Sequence, residues 1–233
     1  MNNQVSIILS TYNEKDHIEF TIKEIIKYLP DAEIVVVDDN SPDGTFEILK
    51  KINYKNLKIF NRKKAKGLAS AFLLGLINSS GNIVGWVDTN MGKVVTKFPS
   101  MLEKLDHFDI VLLSRYIEGG SDERRWIRRT SSLILNKFAK LFLNSKITDL
   151  SSGIFLMKRS VLENAVPIAS GHGEFMMEFI YNLEKKGNKI SEIPYSQPKE
   201  DVENSKSFPN LPKFLIYGSF YIIRIIQTII RRL

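Results

Sequence analysis

Residues 35–45 read VVVDDNSPDGT. Three valines behind Glu33 and Ile34 make a short apolar run that suits a strand buried on both faces. The run ends in adjacent carboxylates, Asp38 and Asp39, and NSPDGT then supplies the side chains that close turns. A buried strand that opens abruptly on polar residues fits a parallel α/β sheet, where ligands bind beyond the carboxyl ends of the strands. Neighbouring carboxylates repel unless N–H or O–H donors lie close, and a nucleobase or a ribose presents such donors. The alternative for these residues is an Asx-turn with no ligand role, which is the reading adopted for Asp43 and Gly44.

Working outward, the pattern repeats. A strand at 5–10 ends in STYNE, and a strand at 83–87 ends in DTN. Between them lie a helix at 16–29, with Ile18, Ile22, Ile25, Ile26 and Leu29 at helical spacing, and Pro30 to stop it. A short helix at 45–51, a strand at 57–61 and a helix at 67–77 follow. A helix near 98–105 and a strand at 109–113 complete the first half. This alternation predicts a mostly parallel sheet flanked by helices on both faces, with the three polar clusters on one edge. The second half is less regular: a basic-fronted helix at 124–143, a strand at 153–157, a helix at 175–185, a strand at 190–193 and a polar loop at 199–208. Residues 211–233 are apolar almost throughout, with Arg224, Gln227, Thr228 and Arg231 at helical spacing.

The 233 residues suffice for one large α/β domain and are short for two. There is no cysteine, so disulfides and thiolate metal sites are excluded. MNNQVSIILS has no basic leader region, so no signal peptide is expected. A net charge of +7 suits phosphate-rich ligands or anionic lipid. Nucleic acid is the weaker partner, because the basic residues are scattered and no helix–turn–helix, RNA-binding signature or zinc module is present.

The ordered set SIILSTYNE, VVVDDNSPDGT, KGLASAFLLGL, WVDTN, LLSRYIEGG, DLSSGIFLMKRSVL, EFMMEFI and EIPYSQPKEDVENSKS resembles the family-2 glycosyltransferases of the GT-A fold. Within them it is most similar to the dolichyl-phosphate mannosyltransferase type of polyprenyl-phosphate glycosyltransferase. The resemblance implies transfer of a sugar, with inversion, from a nucleotide-sugar donor of the GDP-mannose or UDP-glucose class. The implied acceptor is a polyprenyl or dolichyl phosphate at the cytoplasmic face of a membrane, and a small membrane-protein partner is compatible with it. It implies one catalytic domain over 1–210, with a nucleotide half at 1–114 and an acceptor half at 115–210. Residues 211–233 would form an amphipathic helix lying in the interface, its arginines toward the headgroups.

By the same resemblance Thr11, Tyr12, Glu14, Asp38 and Asp39 contact the donor. Asp88 answers to the first acid of the family's Asp-x-Asp motif and Asn90 to the second, so the pair would hold Mg²⁺ or Mn²⁺ with one charge fewer than two acids supply. Gly92 stands where similar proteins offer another oxygen, and Lys93 could replace part of the missing positive charge. Arg115, Arg128, Arg129, Ser205 and Lys206 would meet the acceptor phosphate, with Asp88, Arg115 and Lys206 carrying the chemistry. Asp149 and Glu178 could orient sugar hydroxyls or serve structure, and His172 is given no catalytic role. Glu200 stands where relatives carry an arginine for the lipid phosphate. Asn90, Gly92 and Glu200 motivate a rival reading, a catalytically lapsed relative that binds sugar nucleotide as a scaffold at the membrane. Nucleotidyl transfer, a third reading, lacks a glycine-rich loop to support it.

Overall fold

The computed structural model describes residues 4–199 and 211–231, with side chains in the last segment described from 216 onward. Seven strands form one sheet in the order β3-β2-β1-β4-β7-β5-β8. β1 (Val5–Thr11) and β2 (Glu33–Asp38) lie at its heart. Every residue of β2 is buried, as its unbroken apolar run requires of a strand covered on both faces. β1 pairs in parallel with β2 and with β4 (Ile83–Trp86), and β2 pairs in parallel with β3 (Leu57–Asn61). The carboxyl ends of these four strands therefore share one edge. β7 (Phe155–Lys158) runs antiparallel between β4 and β5 (Ile110–Ser114), so β5 points the same way as β4 and also ends on that edge. β8 (Ile190–Pro194) closes the far side parallel to β5. Two short strands, β6 (Ser121–Asp122) and β9 (Ser196–Gln197), pair beside it.

Helices cover both faces. On one, α1 (Ile18–Tyr28) buries Ile18, Ile22 and Ile25, and α2 (Thr45–Lys51) adds Leu49 to the same core. A 3₁₀ helix, Thr89–Lys97, and α4 (Phe98–Lys104) complete that layer with Val95, Phe98 and Met101. On the other face, α3 (Leu68–Asn78), α5 (Trp126–Leu143) and α6 (Glu174–Lys185) pack around aromatic rings. Phe72 stacks on Trp86 with centroids 4.5 Å apart, and Phe175 lies 5.5 Å from the same indole. Trp86 ends β4, so this stack fixes the strand end that launches Asp88.

The last helix, α7 (Leu211–Ile230), differs from the expectation for it. Arg224 is buried, its Nη1 3.0 Å from Glu178 and its Nη2 3.7 Å from Glu174, both on α6. Arg231 reaches the other Glu178 oxygen at 2.5 Å. Arg224 thus faces the protein, not headgroups, because two acids on α6 give it ion pairs, while Arg231 keeps half its side chain exposed. The apolar stripe is the outer one.

Candidate active site

The order β3-β2-β1-β4 reverses direction after β1, so the chain leaves a crevice between the ends of β1 and β4. On the β1 side two loops are laced together. Asp38 accepts from the Thr11 hydroxyl at 2.9 Å and from the Ser41 backbone N–H at 2.9 Å. The Asn13 N–H donates to the Ser41 hydroxyl at 3.0 Å, and the Glu14 N–H donates to the Thr45 hydroxyl at 2.9 Å. Asp43 accepts from Thr45 N–H at 3.0 Å and from Lys15 N–H at 3.1 Å. Burial would raise the Asp43 carboxyl, but these bonds win and lower it. Asn13 and Asn40 take the left-handed conformation, φ 56° and 55°, that such tight loops demand. Asp38, expected to contact donor, ties the loops together, as does Asp43.

Asp39 is held differently. Its carboxylate accepts from Arg62 Nε at 2.6 Å and from the Gly67 N–H at 2.7 Å. Arg62 also reaches the Ser70 hydroxyl and the Gly67 carbonyl. Gly67 sits at φ 126°, a conformation open to glycine that lets its N–H turn onto Asp39. From the same loop Lys66 places its ammonium 4.8 Å from the centre of the Tyr12 ring, and Tyr12 is 39% exposed. Arg62 and Lys66 escaped the sequence reading. The signal was there in RKKAKG, a basic run directly after a strand that ends on the ligand edge.

On the β4 side Asp88 and Asn90 are both exposed, at the start of the 3₁₀ helix. The Thr21 hydroxyl of α1 donates to the Thr89 carbonyl at 2.5 Å and so pins this turn. Gly92 is buried against α1, where an added Cβ would lie 2.5 Å from Thr21 Oγ1 and 3.0 Å from its Cα. Packing, then, explains why no oxygen-bearing side chain stands at 92. Among the described residues no cluster of three or more His, Cys, Asp or Glu could hold a metal unaided.

The edge carries a further mark. Four buried side-chain oxygens have no hydrogen-bond partner among the described residues: those of Ser10 at the end of β1, Asn61 at the end of β3, Thr89 after β4 and Ser152 before β7. Buried polar atoms are satisfied in most folded proteins, so these four are the polar groups of the region left to pair with groups beyond the described residues.

Beyond β5 the structure departs from expectation. Arg115 is buried and forks onto Asp149, Nε to Oδ2 at 2.7 Å and Nη2 to Oδ1 at 2.6 Å. Asp122 stands 3.8 Å from its Nη1 and is itself gripped by Arg124 at 2.6 Å. Burial opposes the charge on Arg115, yet Asp149 overrides it and holds the guanidinium above its ordinary range. The four charges balance. Arg115, expected at a phosphate, is a paired cation, and Asp149 takes the structural one of its two expected roles as its partner. Arg115 donates to the Ser151 hydroxyl, and Asn136 of α5 donates to the same hydroxyl at 2.7 Å, so this cluster holds the middle of α5. Arg128 is half-buried and Arg129 exposed in the first turn of that helix. Glu178 is committed to Arg224 and Arg231. His172 rests its ring 5.3 Å from Tyr217, and burial lowers its imidazole against the opposing pull of Glu174. Ser205, Lys206 and Glu200 lie outside the described residues.

A parallel-centred sheet with acidic strand ends at its switch point defines a GT-A-like sugar-nucleotide fold. The chain belongs to glycosyl transferase family 2, whose family model matches residues 6–165. It is 30% identical over 201 residues to a dolichol-phosphate mannosyltransferase of Pyrococcus furiosus, a match covering 83% of this chain and 56% of that protein. It is 24% identical over 210 residues to a polyprenol monophosphomannose synthase of Mycolicibacterium smegmatis, covering 86% and 79%. The fold is shared with glucosyl-3-phosphoglycerate synthase of Mycobacterium tuberculosis, solved with Mn²⁺, UDP and glucosyl-3-phosphoglycerate. The TM-score is 0.74 at 17% identity, over 97% of this chain and 80% of that one. The same enzyme with Mg²⁺ and UDP gives a TM-score of 0.72 at 16% identity, over 97% and 79%.

Proposed function

We propose that the chain transfers a hexose, with inversion, from a nucleotide-sugar donor of the GDP-mannose or UDP-glucose class to a polyprenyl phosphate at a membrane surface. The observation that carries this is the ligand edge itself: Asp39 follows β2 and Asp88 follows β4, the two strands that flank β1, so both acids lie on the edge where β1 ends. Membership of family 2 and the mannosyl-transferring relatives support the reading.

A divalent cation fits the donor set. The exposed Asp88 carboxylate and the exposed Asn90 amide oxygen are hard oxygen ligands on one turn. With one carboxylate among them, they suit an ion that a diphosphate and water also ligate. Bound there, Mg²⁺ or Mn²⁺ would neutralise charge on the departing nucleoside diphosphate. The protein does the rest. Tyr12, with Lys66 over it, offers a surface for the nucleobase, while Arg62 and Gly67 hold the Asp39 carboxylate in one orientation. A phosphate acceptor is ionised at neutral pH, so it needs no general base, and catalysis rests on positioning and charge. Arg115, locked to Asp149, frames the acceptor half. Arg128 and Arg129, in the first turn of α5, meet the phosphate.

The test is a donor screen with purified protein, membranes and Mg²⁺ or Mn²⁺, measuring both nucleoside diphosphate release and lipid-linked sugar. Turnover that Asp88→Ala abolishes supports the proposal. Nucleotide binding with no turnover on any lipid phosphate would favour the lapsed relative, and pyrophosphate release would favour nucleotidyl transfer.

A further inference from the structure

The two halves of the site leave the sheet apart. β4 and β5 both end on the ligand edge with β7 between them, which sets their ends about 10 Å from each other at ordinary strand spacing. Gln197 of β9 bridges this gap. Its Nε2 donates to the Met91 sulfur at 3.2 Å, and its Oε1 accepts from the Tyr195 phenol at 2.7 Å. A thioether has no hydrogen to give, so the NH₂ end of the amide must face the sulfur and the oxygen must face the phenol. Both ends of the carboxamide are thereby fixed.

On the donor side, Met91 is buried and stands where the 3₁₀ helix is broken, at φ −107° and ψ 20°. Its N–H closes a turn onto the Asp88 carbonyl at 2.8 Å, so Asp88 and Asn90 move with it. On the acceptor side, the Tyr195 N–H donates at 3.1 Å to the carbonyl of Ser114, the residue before Arg115. The Ser121 N–H donates to the Tyr195 carbonyl at 3.1 Å, and the Glu123 N–H to the Gln197 carbonyl at 3.0 Å. These last two bonds bracket Asp122, the second acid beside Arg115. Burial holds the Tyr195 phenol above its ordinary range, with Arg115 pulling it down and Asp149 pushing it up. The phenol therefore stays protonated near neutrality, remains a donor to Gln197, and lies in the field of the Arg115–Asp149 pair.

We infer that Gln197 is a positioning residue that couples the Asp88 turn to the Arg115 cluster. The inference rests on the functional reading in taking those two places as the donor and acceptor sides. Through Met91 the amide sets the turn, and through Tyr195 it is set by the end of β5. A diphosphate drawn onto the turn is then felt at the cluster that frames the acceptor, and an acceptor phosphate is felt at the turn, as the reciprocity of coupled sites requires. Sulfur is a weak acceptor, so the bond steers the turn more than it stabilises the fold.

Three substitutions each remove one link and keep bulk in place: Met91→Leu, Gln197→Leu and Tyr195→Phe. Methyl NMR of the full chain with ¹³C-labelled methionine reads the link without any ligand. The chain has six methionines, and Met91→Leu assigns the signal of Met91. Tyr195→Phe keeps the ring, so its expected effect, a shift of the Met91 signal comparable to that in Gln197→Leu, reports the lost hydrogen bond. Mn²⁺ titration with UDP or GDP, with and without a short water-soluble polyprenyl phosphate, then measures the coupling. In the wild type the phosphate is expected to change Mn²⁺ affinity by about fivefold. Each variant is expected to bring that factor to about one while melting near the wild-type temperature. Met91→Leu combined with Gln197→Leu is expected to match either alone, because both remove the same contact. A Met91 signal that ignores Tyr195→Phe overturns the inference. So does a coupling factor that the variants leave unchanged, or one already near unity in the wild type. If Mn²⁺ binds with neither nucleotide and no donor is turned over, the functional reading falls, and the NMR shift alone decides whether Gln197 links the two places.

Discussion

The Arg115 guanidinium meets the Asp149 carboxylate edge to edge, with two N–H···O contacts of 2.7 and 2.6 Å, and both side chains are buried. The pair joins the end of β5 to the turn before β7, and through Ser151 it reaches α5. Arg115→Met would leave a buried carboxylate without its main partner, so a loss of about 3–5 kcal/mol in unfolding free energy is expected. Arg115→Lys keeps the charge but cannot fork, and should cost about 1–2 kcal/mol. Urea denaturation of the two variants checks the order. If Arg115 frames the site rather than binding acceptor, the lysine variant should lower kcat more than it raises the acceptor KM.

Arg62 and Asp39 form the other buried pair at the site, with side chains 8% and 9% exposed. Arg62→Ala frees the Gly67 loop and strips Asp39 of its counter-ion. Stability should fall by about 2–4 kcal/mol, and affinity for nucleoside diphosphate should fall about tenfold or more, since the loop that carries Lys66 over Tyr12 loses its tether. Calorimetric titration against UDP and GDP measures the second effect and also ranks the two bases.

At the opposite end of the sheet Glu33 accepts from Ser6 and from the Ser80 N–H, the latter at 2.7 Å, and pairs with Lys58 at 2.6 Å. Burial alone would raise this carboxyl. The bonds from Lys58, Ser6 and Ser80 prevail and lower it from 4.5 to about 2. A folded-state value below the unfolded one means that the unfolded chain takes up the proton first. Its contribution to stability is complete above about pH 4.5 and is lost as the pH falls toward about 2. The wild type should exceed Glu33→Gln by about 1–3 kcal/mol near neutrality. Denaturation at a series of pH values should show that margin shrinking across this acid window.

The central strands were legible because a strand buried on both faces is written as a plain apolar run, and its sudden end marks the ligand edge. β2 and β3 were expected at 33–37 and 57–61 and lie at Glu33–Asp38 and Leu57–Asn61. The 3₁₀ helix over Thr89–Lys97 was not legible, because TNMGKVVTK has no clean period and is held by Thr21, 68 residues away. Partners of charged side chains were the other blind spot. Arg224 and Arg231 read as a stripe turned toward headgroups because the acid they meet, Glu178, is 46 and 53 residues distant. Asp149 looked like a cap or a sugar ligand for the same reason, its arginine lying 34 residues back. Motif order identifies which residues gather on an edge; which of them neutralise one another is decided only by tertiary contact.

The turn after β4 allows the metal reading to be strengthened and tested by substitution. Asn90 is exposed, so Asn90→Asp adds a carboxylate two residues from Asp88 without disturbing the core. Mn²⁺ affinity in the presence of a nucleoside diphosphate should rise about tenfold, because a second formal charge joins a site that has one. Gly92→Ser places its oxygen where similar proteins carry a ligand, yet its Cβ must enter space 3.0 Å from the Thr21 backbone. Overpacking of that kind costs about 1–3 kcal/mol, so this variant should melt earlier and gain no affinity. Manganese titration followed by electron paramagnetic resonance, alongside thermal melts, separates the two substitutions. Equal affinity gains at 90 and 92 would mean that α1 yields readily, and that Asn90 and Gly92 are not held apart by packing as argued.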